Sequence, residues 1–199
     1  IENFLIAGVT RTMLDALSAL GISWQLQGKT LTVLGKGLSG WRPTASPVEI
    51  YCGNSATTLR LLAGALAAWG IPSILDGSTG LRRRPMGRVV EPLQLRGLPI
   101  RAANGCAPLR IDPPSQPLQA IDYRLPVASA QVKSCLILAA LAARGATVLH
   151  EPAPSRDHTE RMLRSMGVTV MTEPGGITRI QPPAGALQPL QITLPGDMS

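Results

Sequence analysis

The chain has 199 residues, a net charge of +7, 45% hydrophobic and 16% charged residues, and only 3% aromatics. That is material for a sizeable core of Leu, Ala, Val and Ile, which excludes a disordered chain and a disulfide-stapled miniprotein. No apolar run reaches the roughly 18–20 residues that span a bilayer, the two histidines (His150, His158) leave no His-based metal site, and the three cysteines (Cys52, Cys106, Cys135) lack metal spacing and read as reduced thiols of a cytoplasmic protein. Lysine occurs only at Lys29, Lys36 and Lys133, so the positive charge is almost all Arg. Arg suits bidentate recognition of phosphate and carboxylate, and an anionic partner is expected: a phosphorylated metabolite, nucleic acid or an acidic protein.

In chain order, residues 10–20 place Met13, Leu14, Leu17 and Leu20 on one face before Gly21, an amphipathic helix with a Gly stop. Residues 22–26 and 30–34 read as a hairpin across Gln27-Gly28, and 38–47 as a loop. A strand at 48–51 turns into a helix at 56–69, ended by Gly70, then a strand at 71–75 and a basic loop at 76–84. A helix is expected at 85–95 and a strand at 98–101; residues 104–119 are rich in Pro and turn residues. A strand at 121–125 leads into a helix over 132–144, where Lys133, Ser134 and Cys135 interrupt a run of Leu, Ile, Ala and Val before Arg144-Gly145. A strand at 146–150, a loop, a helix at 157–166, a hairpin of 168–171 with 177–180 across Pro174-Gly175-Gly176, and a last strand at 192–194 complete the chain.

The order repeats. ALAAWGIPSIL (65–75) resembles ALAARGATVLH (140–150), and MLDALSALGISW (13–24) resembles MLRSMGVTV (162–170), with EPLQLRGLPI (91–100) a third copy. The unit is strand, buried helix, strand, loop, amphipathic helix, hairpin. It is complete from Val48 and from Ile121, whereas residues 1–14 match only its later part. Three such units around a pseudo-threefold place apolar helices inside and sheets outside.

Matching loops of this repeat carry the chemistry. Ala128-Ser129-Ala130-Gln131 opens one buried helix and Asn54-Ser55-Ala56-Thr57 the other. Unpaired N–H groups and the dipole at a helix N-terminus favour an anion. Ser129 adds a hydroxyl and Gln131 an amide, with Lys133 and Arg60 adding charge one turn in. An ordinary Ser N-cap on a core helix stands as the alternative. Arg82-Arg83-Arg84 precedes Pro85, a good first helical residue that holds Arg84 at the start of a helix. Ser155-Arg156-Asp157-His158 stands at the equivalent place, where Asp157 and Glu160 also fit a capping box.

GNSATTLR, RRPMGRVVEPL, VASAQVKSCLILAAL, SRDHTERML and the terminal LPGDMS, in this order from about Thr10 to the C-terminus, together resemble the enolpyruvyl transferase family, on its branch acting on shikimate 3-phosphate. The SAQVKS and SRDHTE segments resemble its class II, glyphosate-tolerant type. The resemblance implies an α/β fold: an inside-out α/β barrel domain of three repeats with helices inside, two such domains forming a cleft. On that reading residues 1–199 are the single continuous domain of the N-terminal half, with the first repeat cut at residue 1 and 195–199 starting the crossover to a second domain. The family moves the enolpyruvyl group of phosphoenolpyruvate to the 5-hydroxyl of shikimate 3-phosphate by addition then elimination, with no metal and no organic cofactor. By matching motifs, Ser129, the Ala130 backbone, Gln131 and Arg156 bind shikimate 3-phosphate. Arg84 contacts phosphoenolpyruvate or glyphosate, Asn54, Ala56 and Arg60 frame that subsite, and Gln131 approaches the enolpyruvyl group. Gln131 and Arg84 are the catalytic candidates.

The departures limit this. The family's Lys-Ser-containing PGDKS segment and the acid/base residues of the other domain are absent, and Gly8-Val9 stands where an Asp is common. The chain alone is therefore expected to be inactive and to bind weakly. Ala56 stands where glyphosate-sensitive members carry Gly, which implies tolerance. The rival readings are the sister transferase of UDP-N-acetylglucosamine, whose reactive-Cys loop is not found, and a basic RNA-binding or RNA-end-processing domain, for which Phe4, Tyr51 and Tyr123 are too scattered to form a stacking platform. No nucleic acid and no membrane partner is expected; a domain that folds and binds nothing stays open.

Overall fold

A computed structural model describes residues 1–37, 40 and 46–195. The elements are α1 (Gly8–Ala19), β1 (Ser23–Gln27), β2 (Thr30–Leu34), β3 (Val48–Tyr51), α2 (Ala56–Trp69), β4 (Ser73–Asp76), α3 (Gly87–Leu95), β5 (Ile100–Ala103), β6 (Cys106–Ile111), β7 (Asp122–Arg124), α4 (Ala130–Ala140), β8 (Thr147–His150), α5 (His158–Ser165), β9 (Val170–Glu173) and β10 (Ile177–Ile180). The expected loop at 38–47 falls mostly outside the described residues, as does the expected crossover beyond Pro195.

The two complete repeats have one topology. Their sheets run β3-β4-β6-β5 and β7-β8-β10-β9. In each, the first two strands are parallel and joined through the inner helix, and the hairpin adds antiparallel. The first repeat supplies α1 and the antiparallel pair β1–β2. Its sheet is completed from both ends of the chain. The Leu31 N–H donates to the Ile1 carbonyl at 2.8 Å, and Glu2 forms a parallel bridge with Thr193. Residues 1–4 thus take the place of β4 and β8, and residues 192–194 the place of β3 and β7. Nothing in the sequence of either segment marks the other as its partner. The sheets stay separate and do not close into one barrel among the described residues.

The inner helices α2 and α4 form the centre of the core, where Leu59, Ala63, Leu66, Cys135, Leu136, Ile137 and Ala140 are fully buried. Small side chains allow a close approach. A Cβ on Gly64 would lie 2.1 Å from the Cys135 carbonyl oxygen, so only glycine fits there. Gly70 ends α2 in the left-handed conformation at φ 64°, with its N–H on the Ala67 and Leu66 carbonyls. Arg96, fully buried after α3, ties the two complete repeats together: Nη1 donates to Thr147 Oγ1 at 3.0 Å and Nη2 to the Leu136 carbonyl at 3.2 Å. Burial without a carboxylate pushes its pKa down to about 10.

The structure corrects the sequence reading at several boundaries. The first hairpin turns at Gly28-Lys29, not Gln27-Gly28. Helix α4 spans Ala130–Ala140, starting and ending earlier than expected. The Pro-rich segment contains β6, a central strand. Pro108 is accommodated because the register slips between Ala102 and Ala103, leaving Ala107 and Pro108 outside the ladder. Pro85 is not a helical residue. It lies between a 3-10 turn (Leu81–Arg83) and α3, whose N-cap is Met86.

Candidate functional site

Both inner helices begin at a serine, and both starts open on the same side of the molecule as the loops after β4 and β8. At α4 the Ser129 backbone is extended (φ −153°, ψ 106°), and its hydroxyl accepts from the Val132 N–H at 3.5 Å, the outer limit of a hydrogen bond. Its oxygen therefore remains available to a ligand. The Ser129 start and the loop after β8 line an open cavity of about 550 Å³, formed by Ala128, Ser129, Ala130, Gln131, Pro154, Ser155 and Arg156. The four residues expected to hold one anionic ligand, Ser129, Ala130, Gln131 and Arg156, are thus brought together across 27 positions of sequence (129 to 156). The Arg156 side chain is exposed and makes no hydrogen bond or ion pair among the described residues.

Gln131 also faces a second cluster. Its carbonyl oxygen accepts from Arg60 Nη1 at 2.6 Å and its amide donates to Thr57 Oγ1 at 2.8 Å, which fixes the amide orientation. Arg60 Nη2 reaches the Pro85 carbonyl at 3.3 Å, tying α2 to the turn that carries Arg84. Burial lowers the pKa of Arg60, and repulsion from Arg84 and Arg88 lowers it further. Among the described residues no carboxylate pairs with Arg60, Arg84 or Arg88, so an anion placed between them would relieve their repulsion. Arg84 makes no side-chain hydrogen bond or ion pair among the described residues, in contrast to Arg82, which pairs with Asp76.

Asn54 and Ala56 play a more structural part. Asn54 Oδ1 accepts from the Ser78 hydroxyl at 3.2 Å and so shapes the loop before Arg84. Ala56, the first residue of α2, is 4% exposed and packs in the core.

Two sequence readings of charge are overturned. Lys133 does not line the opening. It is 2% exposed, with Nζ 2.7 Å from both Glu151 Oε2 and Glu160 Oε1. Nor do Asp157 and Glu160 form a capping box: Asp157 makes no side-chain cap bond and accepts from Arg161 at 3.0 Å, while Glu160 turns inward to Lys133. Sequence offers Glu160 only as a cap, Thr57 only as part of a helix start, and no role for Arg88 or Glu151; contacts reveal what they do. Among the described residues no group of three or more His, Cys, Asp or Glu could hold a metal, and no helix is long and apolar enough to cross a membrane.

Comparison with known proteins gives the family. The family described as EPSP synthase (3-phosphoshikimate 1-carboxyvinyltransferase) matches residues 1–199. The 3-phosphoshikimate 1-carboxyvinyltransferase of Methylococcus capsulatus is 45% identical over 203 residues, and that of Coxiella burnetii (strain RSA 331 / Henzerling II) 42% over 201, each covering 100% of this chain and 45% of the relative. An EPSP synthase structure from Acinetobacter baumannii superposes with a TM-score of 0.88 at 40% identity, covering 98% of this chain and 43% of that one. The chain spans less than half the length of these relatives. With motifs, repeat topology and full-length similarity in agreement, the chain belongs to the EPSP synthase (3-phosphoshikimate 1-carboxyvinyltransferase) family.

Proposed function

We propose that this chain is the shikimate 3-phosphate-binding domain of a two-domain cytoplasmic 3-phosphoshikimate 1-carboxyvinyltransferase of the glyphosate-tolerant type. The observation that carries the proposal is the shared position of Gln131, which lines the Arg156 cavity and also bonds Arg60 beside the Arg84 turn. One residue thus touches two adjoining anion subsites, as a transfer between two anionic substrates requires. In the first, Ser129, the Ala130 N–H, Gln131 and Arg156 hold the sugar phosphate. In the second, Arg84 and Arg60 balance the charge of phosphoenolpyruvate, with Asn54 and Ala56 at its edge. The 5-hydroxyl oxygen, losing its proton, then adds to C2 of the enolpyruvyl group as the methylene carbon takes one up, and the tetrahedral intermediate loses a proton from that carbon as the C2–O bond to phosphate breaks, restoring the double bond. Arg84 and Arg60 neutralise the departing phosphate, and Gln131 orients the enolpyruvyl group. The proton-transfer groups belong to a second domain, so this chain binds without turning over.

The test is a two-dimensional NMR titration of the chain with shikimate 3-phosphate, with inorganic phosphate as control. Expected are saturating shifts at Ser129–Gln131 and Arg156 that phosphate does not reproduce. Identical shifts with any anion would reduce the openings to generic anion sites. The tolerance reading has its own test. In the complete two-domain enzyme, Ala56→Gly sharpens glyphosate inhibition, and unchanged inhibition removes that part of the proposal.

A further inference from the structure

Beneath the floor of the Ser129–Arg156 cavity lies a buried ionic cluster that the reaction does not use. Lys133 extends from the second turn of α4 to Glu151, directly after β8, and to Glu160 on α5. Its side chain is 3% exposed and those of Glu151 and Glu160 are 5% and 0% exposed. Burial disfavours the charge on Lys133, but the hydrogen bonds and attraction of the two carboxylates outweigh it and raise its pKa. The other oxygen of Glu151 accepts from the Ser155 hydroxyl, next to Arg156, and the Glu151 N–H is held by the Gly176 carbonyl at 2.9 Å. One residue further along α4, Ser134 Oγ lies 2.7 Å from Thr159 Oγ1 on α5. Helix, loop and second helix are thus cross-tied at neighbouring points, and both walls of the cavity are attached to those ties.

Attraction of a ligand does not explain such a group. Its two carboxylates and one ammonium would sum to a negative charge below a cavity whose one charged lining residue is Arg156. Stability alone does not explain it either, because buried ion pairs are commonly replaceable by apolar side chains of similar volume without loss. What directional ionic and hydrogen bonds add is a fixed distance between the elements that they join.

We infer that the Lys133–Glu151–Glu160 cluster, with Ser155, is a positioning device that sets the spacing between the Ser129–Gln131 helix start and the Arg156 loop, so that one sugar phosphate is gripped from both sides. The ligand rests on the function proposed above; the coupling of cluster to loop does not.

The deciding variant of the 199-residue chain is K133M/E151Q/E160L, which removes every charge at matched volume; Ser155→Ala cuts the Ser155–Glu151 tie. Thermal melting establishes folding. In the folded variant, exchange speeds up about tenfold at the two hydrogen-bonded amides that flank the loop, Glu151 N–H on the Gly176 carbonyl and Arg161 N–H on the Asp157 carbonyl. Affinity for shikimate 3-phosphate falls about tenfold, the loss from misaligning one charge-assisted bond, while affinity for inorganic phosphate changes less than about twofold. A merely structural cluster would weaken both ligands alike or neither. Unchanged exchange, or unchanged affinity for shikimate 3-phosphate with a loosened loop, overturns the inference. If the triple variant does not fold, Ser155→Ala is judged by the same two readouts. A wild-type chain that prefers shikimate 3-phosphate no more than phosphate defeats the proposed function instead, and the positioning role is then decided by exchange alone.

Discussion

The starts of α2 and α4 are equivalent in the repeat, begin with the same capping residue and carry a cation one turn in, yet they use both differently. At α2 the cap is tight. Ser55 Oγ accepts from the Thr58 N–H at 3.1 Å and from the Thr58 hydroxyl at 2.8 Å, and Arg60 projects half-buried into a cluster of guanidinium groups. At α4 the cap is loose, the Ser129 oxygen is left for a ligand, and Lys133 is turned inward between two carboxylates. Arg60 is the fifth helical residue and Lys133 the fourth. One position is a rotation of about 100° on a helix, enough to carry a cation from the open face to the core. One cation charges the site and the other builds it.

The largest perturbation removes both starts at once. Gly64→Ala sets a methyl against the Cys135 backbone, which no side-chain rotation relieves. The cost lies above the roughly 1–3 kcal/mol of ordinary overpacking, and cooperative thermal melting is lost. A sharp transition near the wild-type temperature would show that the helices can part without penalty. Next is Lys133→Ala, which strands two buried carboxylates and costs about 3–5 kcal/mol by chemical denaturation. A base whose folded pKa is raised contributes stability that is complete below its unfolded pKa and lost as pH rises through the folded value. Lys133 is such a base. Above pH ~10.4, the unfolded lysine value, the wild-type chain therefore loses stability faster than K133M/E151Q/E160L. Parallel pH curves would place the proton elsewhere. The caps come third: Ser55→Ala costs about 1–2 kcal/mol and Ser129→Ala about 0.5 kcal/mol, since only the first has short bonds. Equal losses would mean that the two caps work alike.

The repeat was legible because its signals are local: a Gly stop after four of the five helices, apolar runs at 56–69 and 132–144, and parallel motifs at the loops. The motifs single out Ser129, Gln131 and Arg156, which the fold brings to one cavity. Direction was not legible. Nothing in SAQVKS states that Gln131 faces outward and Lys133 inward, because that depends on where α5 and the loop after β8 pack, far along the chain. Glu160 illustrates the same limit: three residues after Asp157 it satisfies the pattern of a capping box, yet a buried ammonium is the stronger partner. Strand β6 was hidden by Pro108, which reads as a breaker unless the register slip of its neighbours is known. The closure of the first repeat by residues 1–4 and 192–194 needed coordinates, since no local pattern links the two ends of a chain.

A comparably small effect on stability, and the one that separates the two cations most clearly, comes from Arg60→Met. Its bonds to Gln131 and to the Pro85 carbonyl are lost, each worth about 1 kcal/mol. Against that, removing one of three crowded guanidinium groups relieves repulsion, and the stem of methionine retains much of the packing. Stability should therefore change by less than about 1 kcal/mol, against several for Lys133→Ala. Binding responds in the opposite order. With one cation gone and Gln131 released from its carbonyl contact, affinity for phosphoenolpyruvate at low salt falls about tenfold, and its salt dependence becomes shallower. A variant that loses stability but keeps its anion affinity would make Arg60 a structural strut like Lys133, and the contrast between the two helix starts would then lie in their caps alone.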